Sequence, residues 1–167
     1  MISMLSSLQR RAGLLALSSV AVAILDQWSK YWLLYSVGMV ARPPLELCKY
    51  FSLVMVWNHG ISFGMLSRSG QDKTAYFLIA MALIISAWIA RLALKSSSPT
   101  ERFAYALIIG GALGNAIDRV RFGAVADFFY VHIGALGWPA FNVADSAICI
   151  GVSLLLLRML RDSKVAP

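Results

Sequence analysis

Charge is what this sequence has least of. Only 14% of its 167 residues are Asp, Glu, Lys or Arg, against about 25% in soluble domains. Hydrophobic residues make up 59% and mean hydropathy is +0.72. A chain of one-domain length cannot hide so much apolar surface from water, and lipid is the natural cover. The same figures exclude disorder. Histidine and cysteine are scarce too: His59, His132, Cys48 and Cys149 stand far apart, with no CxxC. A zinc site needs about four ligands at short spacings, so no metal and no cofactor are expected. No Gly-rich loop precedes a Lys-Ser/Thr pair, which argues against nucleotide hydrolysis. Neither histidine has an evident nucleophile in a strained turn, so a Ser-His-Asp triad has no support. Internal repeats and low-complexity tracts are also missing.

What is present is apolar and long. Four stretches, approximately 13–35, 74–94, 103–121 and 142–160, have the length and character of membrane spans. They predict a single integral membrane domain over 1–167, with connecting segments 36–73 and 122–141. Arg10-Arg11, an apolar run and Ala21-Val22-Ala23 have the outline of a cleaved signal peptide, but apolar residues continue well past the alanines, so a span is expected.

The net charge of +7 comes from 15 basic against 8 acidic residues. In a soluble chain it would suggest nucleic acid; here it reports cytoplasmic loops and anionic headgroups, and no nucleic-acid partner is expected. Arg10, Arg11, Arg91, Lys95, Arg102, Arg158, Arg161 and Lys164 lie at one set of span ends, with Glu101 and Asp162 as the only acids there. The positive-inside rule then puts both termini in the cytoplasm and 36–73 and 122–141 outside. Residues 45–65 are rich in β-branched and aromatic side chains between Pro43-Pro44 and Gly70, and 125–133 is a second β-like run closed by Gly134 and Gly137.

Asp26, Asp118, Asp127 and Asp145 all fall near the outer ends of the spans, where carboxylates are costly and mark function. Each also has a plainer reading. Asp26 and Lys30 share a helix face and could neutralise each other while snorkelling to the interface. Asp118-Arg119 could be a structural ion pair. Gly110, Gly111 and Gly114 suit close helix packing, which leaves Asn115, Asp118 and Arg119 unexplained. Asp145, with Asn142 as N-cap, suits a capping box. Asp127 sits in Ala124-Val125-Ala126-Asp127-Phe128-Phe129-Tyr130, apolar surroundings that raise a carboxyl pKa. If the chain folds back through Gly134, Gly137 and Pro139, Asp127 and Asp145 meet. Two close carboxylates share a proton and can activate a water, the chemistry of an aspartic peptidase.

Five pieces stand in order along the chain: Leu25-Asp26-Gln27-Trp28-Ser29-Lys30; Asn58-His59-Gly60-Ile61-Ser62-Phe63-Gly64; residues 110–119; Val125-Ala126-Asp127-Phe128; and Phe141-Asn142-Val143-Ala144-Asp145-Ser146. In this combination the chain resembles the lipoprotein signal peptidases (signal peptidase II), bacterial membrane aspartic peptidases, from about residue 14 to residue 160. The resemblance implies a mainly α membrane protein, with four transmembrane helices and a small β cradle at the outer, periplasmic surface of the inner membrane. It implies Asp127 and Asp145 as catalytic dyad, with Asp26, Lys30, Asn58, Gly60, Asn115, Asp118, Arg119, Asn142 and Ala144 binding substrate or supporting the site. The substrate would be a diacylglyceryl-modified prolipoprotein, cut on the amino side of its lipidated cysteine. Membrane lipid and lipopeptide-type inhibitors are the other expected partners, and a monomer is expected. Ile61-Ser62 departs from the family's usual two alanines. A four-span transporter or proton carrier is the rival reading, but its acids should lie near mid-span. A non-enzymatic assembly subunit would leave the Asn and Asp set without a purpose.

Overall fold

The computed structural model describes residues 2–60, 71–134 and 136–165, with side chains over 8–60, 73–134 and 136–163. Helix α1 (Ile2–Tyr31) widens into a π turn at Trp32–Ser36. There the Val37 N–H donates to the Trp32 carbonyl at 2.9 Å, and Gly38, at φ 74°, ends the run. A 3₁₀ turn (Met39–Ala41) leads to strands β1 (Leu45–Cys48) and β2 (Phe51–Asn58). Helix α2 (Gln71–Lys95) is followed by α3 (Pro99–Phe122). The Ser98 hydroxyl caps α3, Pro99 fills its first turn, and Gly123 at φ 70° closes it. Strands β3 (Val125–Ile133) and β4 (Leu136–Gly137) precede α4 (Val143–Val165).

Helix α3 is the hub: it packs against α1, α2 and α4. Its small residues permit this. Gly110 lies against the Ser19 carbonyl and Val22 of α1, and Gly111 against the Ala144 carbonyl and Ile148 of α4. Leu15, Ile89, Ala93, Ala106, Ile108 and Ile109 form the buried core among the helices. Three stretches are long and apolar enough to cross a bilayer: Leu8–Ser36, Lys73–Lys95 and Val143–Ser163. At most 17% of each is buried within the protein, which leaves apolar faces for lipid. The expected span at 103–121 lies in α3, which is not among the three. A helix surrounded by others needs little lipid-facing surface, and glycines and polar residues lower its hydropathy.

The sheet is antiparallel, in the order β1-β2-β3-β4. It packs on the π and 3₁₀ turns that follow α1 through Leu33, Leu34, Met39, Leu53, Ala126 and Phe128, with Phe122 at the end of α3 against the same cluster. The second β-like run coincides with β3, and the first is realised as β1 and β2; its remainder at 61–65, with Ile61-Ser62, lies outside the described residues. Val56 pairs with Asp127 and Asn58 with Val125. Phe129 exchanges backbone hydrogen bonds with Phe141 at 2.8 and 3.0 Å, which folds the β4 loop back and delivers Asn142 beside β3.

A Cβ at Gly110 would lie 2.6 Å from the Ser19 carbonyl oxygen, and one at Gly151 2.6 Å from that of Ala104; at Gly13 nothing lies within 4 Å. Overpacking of this kind costs about 1–3 kcal/mol, whereas Gly→Ala in an open helix position gains up to about 1 kcal/mol. Thermal midpoints in detergent should therefore fall for Gly110→Ala and Gly151→Ala and hold or rise for Gly13→Ala. Equal midpoints for all three would contradict this packing.

Candidate active site

The site grows from a buried lysine. Lys30 is 2% exposed, between Asp26 (0%) and Asp118 (1%). Its Nζ lies 2.8 Å from Asp26 Oδ2, 2.8 Å from Asp118 Oδ2 and 3.2 Å from Asn115 Oδ1. The ammonium donates hydrogen bonds to Asp26 and Asn115, and Asp118 stands beside it as a second ion-pair partner. The pair Asp26–Lys30 does not snorkel, because α3 covers it and supplies Asp118 as second counter-charge. Asp118 thus pairs with Lys30 rather than Arg119. Neighbouring helical residues point in different directions, and Arg119 donates instead to the Asn115 carbonyl at 3.5 Å.

Each aspartate of this centre also holds a distant backbone amide. Asp26 Oδ1 accepts from the Ala144 N–H at 2.9 Å, and Asp118 Oδ2 from the Ala126 N–H at 3.2 Å. Ala144 immediately precedes Asp145, and Ala126 immediately precedes Asp127. A buried ion triad therefore fixes the chain next to both carboxylates. Gly114 makes room for it: a Cβ there would come within 2.6 Å of Asp26 Oδ2.

Three asparagines line the two carboxylates. Asn142 Nδ2 donates to Asp127 Oδ1 at 2.7 Å, and Asn58 Nδ2 to Asp127 Oδ2 at 3.0 Å. Asn115 Nδ2 donates to Asp145 Oδ1 at 2.8 Å. The Asn142 backbone N–H donates to Asp145 Oδ2 at 3.1 Å, and the Asp145 N–H to Asn142 Oδ1 at 2.9 Å. This is the reciprocal capping box expected at the start of α4, and it makes Asn142 a partner of both acids. The Gly60 N–H holds Asn58 through its Oδ1 at 2.8 Å. Gly60 has φ +90°, and a Cβ there would meet Leu78 and approach Arg119. A cleft of about 330 Å³, lined by Val56, Trp57, Asn58, His59, Gly60, Asp127, Pro139 and Ala140, opens onto Asp127.

The Asp26, Lys30, Asn58, Gly60, Asn115, Asp118, Arg119, Asp127, Asn142, Ala144 and Asp145 set is thus gathered at one end of the bundle. Gln27 and the Ala126 amide also belong to it. Gln27 was visible only as a polar residue in a polar helix end, and no sequence signal marks a backbone amide. Among the described residues no group of three His, Cys, Asp or Glu side chains could hold a metal ion. His132 Nε2 lies 2.9 Å from Ser52 Oγ, but Ser52 is buried within strand β2, not in a turn.

Burial among apolar neighbours raises the Asp127 carboxyl from 3.8 to about 6; the Asp145 charge pushes the same way, while the Asn58 and Asn142 hydrogen bonds and the Lys30 charge oppose it. The folded protein therefore keeps this proton up to about pH 6, whereas the unfolded chain releases it near 3.8. Stability contributed by the protonated form is lost as pH rises through this window. Relative to wild type, Asp127→Asn should gain stability between pH 4 and pH 7, by at most about 3 kcal/mol. Unfolding midpoints at the two pH values test this; a wild-type-to-variant gap independent of pH would contradict it.

Comparison with known proteins agrees with this architecture. The family model described as signal peptidase (SPase) II matches residues 18–161. The lipoprotein signal peptidase of Methylorubrum extorquens (strain PA1) is 42% identical, over 94% of this chain and 90% of that protein. That of Azoarcus sp. (strain BH72) is 43% identical, over 89% and 84%. Two solved bacterial membrane enzymes superpose with TM-scores of 0.76 and 0.73 at 31% and 30% identity, each over 90% of this chain and over 94% and 90% of theirs. With a matching model over residues 18–161, and relatives and structures that agree over most of their length, this membrane-embedded chain belongs to the signal peptidase II family.

Proposed function

We propose that the protein removes signal peptides from diacylglyceryl-modified prolipoproteins as an aspartic endopeptidase, with Asp127 and Asp145 as the reacting pair. Family membership supports the peptidase activity and the prolipoprotein substrate. The observation that carries the aspartic mechanism is the joint hold of Asn142 on both carboxylates. The acids gather at one end of the helices, which disfavours a transporter with a mid-span site.

The two carboxylates have different surroundings, and this assigns the first proton. Burial raises the Asp127 carboxyl to about 6, which favours it as the member that carries the proton in the reactive form. Asp145 accepts two N–H bonds at the N-terminus of α4 and takes the part of the base. A water between them gives a proton to Asp145 and attacks the scissile carbonyl carbon, while Asp127 protonates the carbonyl oxygen. On collapse the C–N bond breaks. Asp145 passes its proton to the leaving amine, and Asp127 recovers one from the diol hydroxyl. The products are a signal peptide with a new carboxyl end and a lipidated cysteine with a free α-amine. The cleft over Asp127 suits an extended peptide, and lipopeptide-type inhibitors would compete there. The other residues of the gathered set position these groups; no metal or cofactor enters the scheme.

In the membrane, the reading is four spans at 13–35, 74–94, 103–121 and 142–160, α3 crossing within the shelter of the other three helices. Both termini lie in the cytoplasm of a bacterial cell, and the site and sheet face outward from the inner membrane, in contact with lipid. The charge asymmetry supports this orientation. The protein acts as a monomer. A reporter inserted at Ser97 should read cytoplasmic; an outside signal would overturn the topology.

With a purified diacylated substrate, Asp127→Asn and Asp145→Asn should each lower turnover by about 10³-fold or more, and the double variant should be scarcely worse. Asp118→Asn, which touches no reacting atom, should keep measurable activity. Near wild-type turnover by Asp145→Asn at matched folded protein would reduce that residue to a helix cap and remove the dyad.

A further inference from the structure

The Asp118 carboxylate that anchors Ala126 has a second oxygen, and its partner lies outside the eleven residues of the dyad reading. Gln27 Nε2 donates to Asp118 Oδ1 at 2.7 Å, and reaches Asp26 Oδ2 and the Gly114 carbonyl at 3.2 Å each. A side-chain amide can flip, presenting oxygen where nitrogen is needed. Here the flip is opposed from the far side: Arg121 Nη1 donates to Gln27 Oε1 at 3.1 Å. A flipped amide would face the guanidinium with N–H groups and the Asp118 carboxylate with oxygen, and both contacts would turn repulsive.

Arg121 is itself placed. Its guanidinium lies over the Phe122 ring at 4.7 Å, and Phe122 packs on Trp57 at 5.2 Å between centroids. Trp57 pairs with Ala126 across β2 and β3, so both ends of the chain of contacts return to the strand that carries Asp127. Gln27 and Arg121 also line the polar end of an apolar groove of about 550 Å³ between α1, α2 and α3. The Gln27 side chain is half-buried there, while Arg121 is exposed.

We propose that Gln27 and Arg121 are positioning residues for the peptidase reaction: Arg121 fixes the Gln27 amide, Gln27 fixes the Asp118 carboxylate, and Asp118 holds the Ala126 N–H that sets Asp127. The relay rests on the dyad reading given above. Neither residue touches a reacting atom, so the relay acts on kcat with little change in KM. It also predicts a proton dependence that packing alone does not. In Gln27→Glu the new carboxyl still accepts from Arg121, but it donates to Asp118 only when protonated, and otherwise repels it.

The test is steady-state cleavage of a synthetic diacylated prolipoprotein peptide by wild type, Gln27→Leu, Gln27→Glu, Arg121→Met, Asp118→Asn and the double variant Gln27→Leu/Asp118→Asn. Gln27→Leu should lose about 10- to 100-fold in kcat, the range for one hydrogen bond to a charged group, with KM held. The ratio of Gln27→Glu to wild type should rise as pH falls from about 8 to about 5.5. Asp118→Asn should mask Gln27→Leu, so that the double variant is much more active than the product of the single losses predicts. Arg121→Met, at an exposed position, should lose about threefold and keeps the test open if Gln27→Leu does not fold. Turnover of Gln27→Leu within twofold of wild type, a flat Gln27→Glu ratio, or multiplicative losses would overturn the relay. Wild-type turnover by Asp127→Asn in the same assay would overturn the dyad reading instead.

Discussion

Everything at the site depends on keeping one ammonium out of water. A buried Lys30 is costly to desolvate, and only well-placed counter-charges make it tolerable. Asp26 and Asp118 provide them from two helices, and Asn115 accepts a hydrogen bond from the ammonium. Withdrawing either carboxylate leaves an uncompensated buried charge, the kind of change that costs about 3–5 kcal/mol. The triad therefore resists deformation. Because Asp118 Oδ2 also accepts from the Ala126 amide and Asp26 Oδ1 from the Ala144 amide, the triad transfers that rigidity to β3 and to the first turn of α4. A structural ion cluster and a candidate catalytic pair are thus one construction.

The two carboxylates take different characters from this frame. Asp127 lies within a strand whose neighbours Val125, Ala126 and Phe128 are buried, and burial dominates its proton affinity. Asp145 stands where a helix presents free N–H groups, and it accepts two of its bonds from N–H donors on Asn115 and Asn142. Among the described residues, amide N–H groups of side chain and backbone, not cations, make the hydrogen bonds to both acids. A neutral amide orients a carboxylate without locking it into one protonation state, a property that proton exchange requires. Arg119 lies within electrostatic reach of Asp118, Asp127 and Asp145, while its own hydrogen bond goes to a carbonyl of α3.

Much of this was legible in the residues. The apolar run around Asp127 foretold its raised affinity for a proton, and the Asn142–Asp145 spacing foretold the capping box. The capping role and the proposed catalytic role turn out to be compatible, since the box is what ties Asp145 to Asn142. Less legible was anything dependent on which helix covers which. The i,i+4 spacing of Asp26 and Lys30 announced a pair but could not show that α3 would bury it and add Asp118. The adjacency of Asp118 and Arg119 suggested a partnership that helical geometry does not permit. Helix α3 blurred the count of spans because its glycines and asparagine serve contacts inside the bundle. Gln27 stands in the first of the five pieces with no role attached to it; its contacts are with residues 91 and 94 positions further along the chain.

The central claim is that the Lys30 triad holds the chain beside both carboxylates at once. Amide hydrogen exchange of Ala126 and Ala144 in the detergent-solubilised protein measures this directly, comparing wild type with Lys30→Met. Both amides should be strongly protected in wild type. In the variant both should lose protection together, while the midsections of α2 and α4 keep theirs. If Lys30→Met leaves Ala126 and Ala144 as protected as before, the ion triad does not position the site and the account fails.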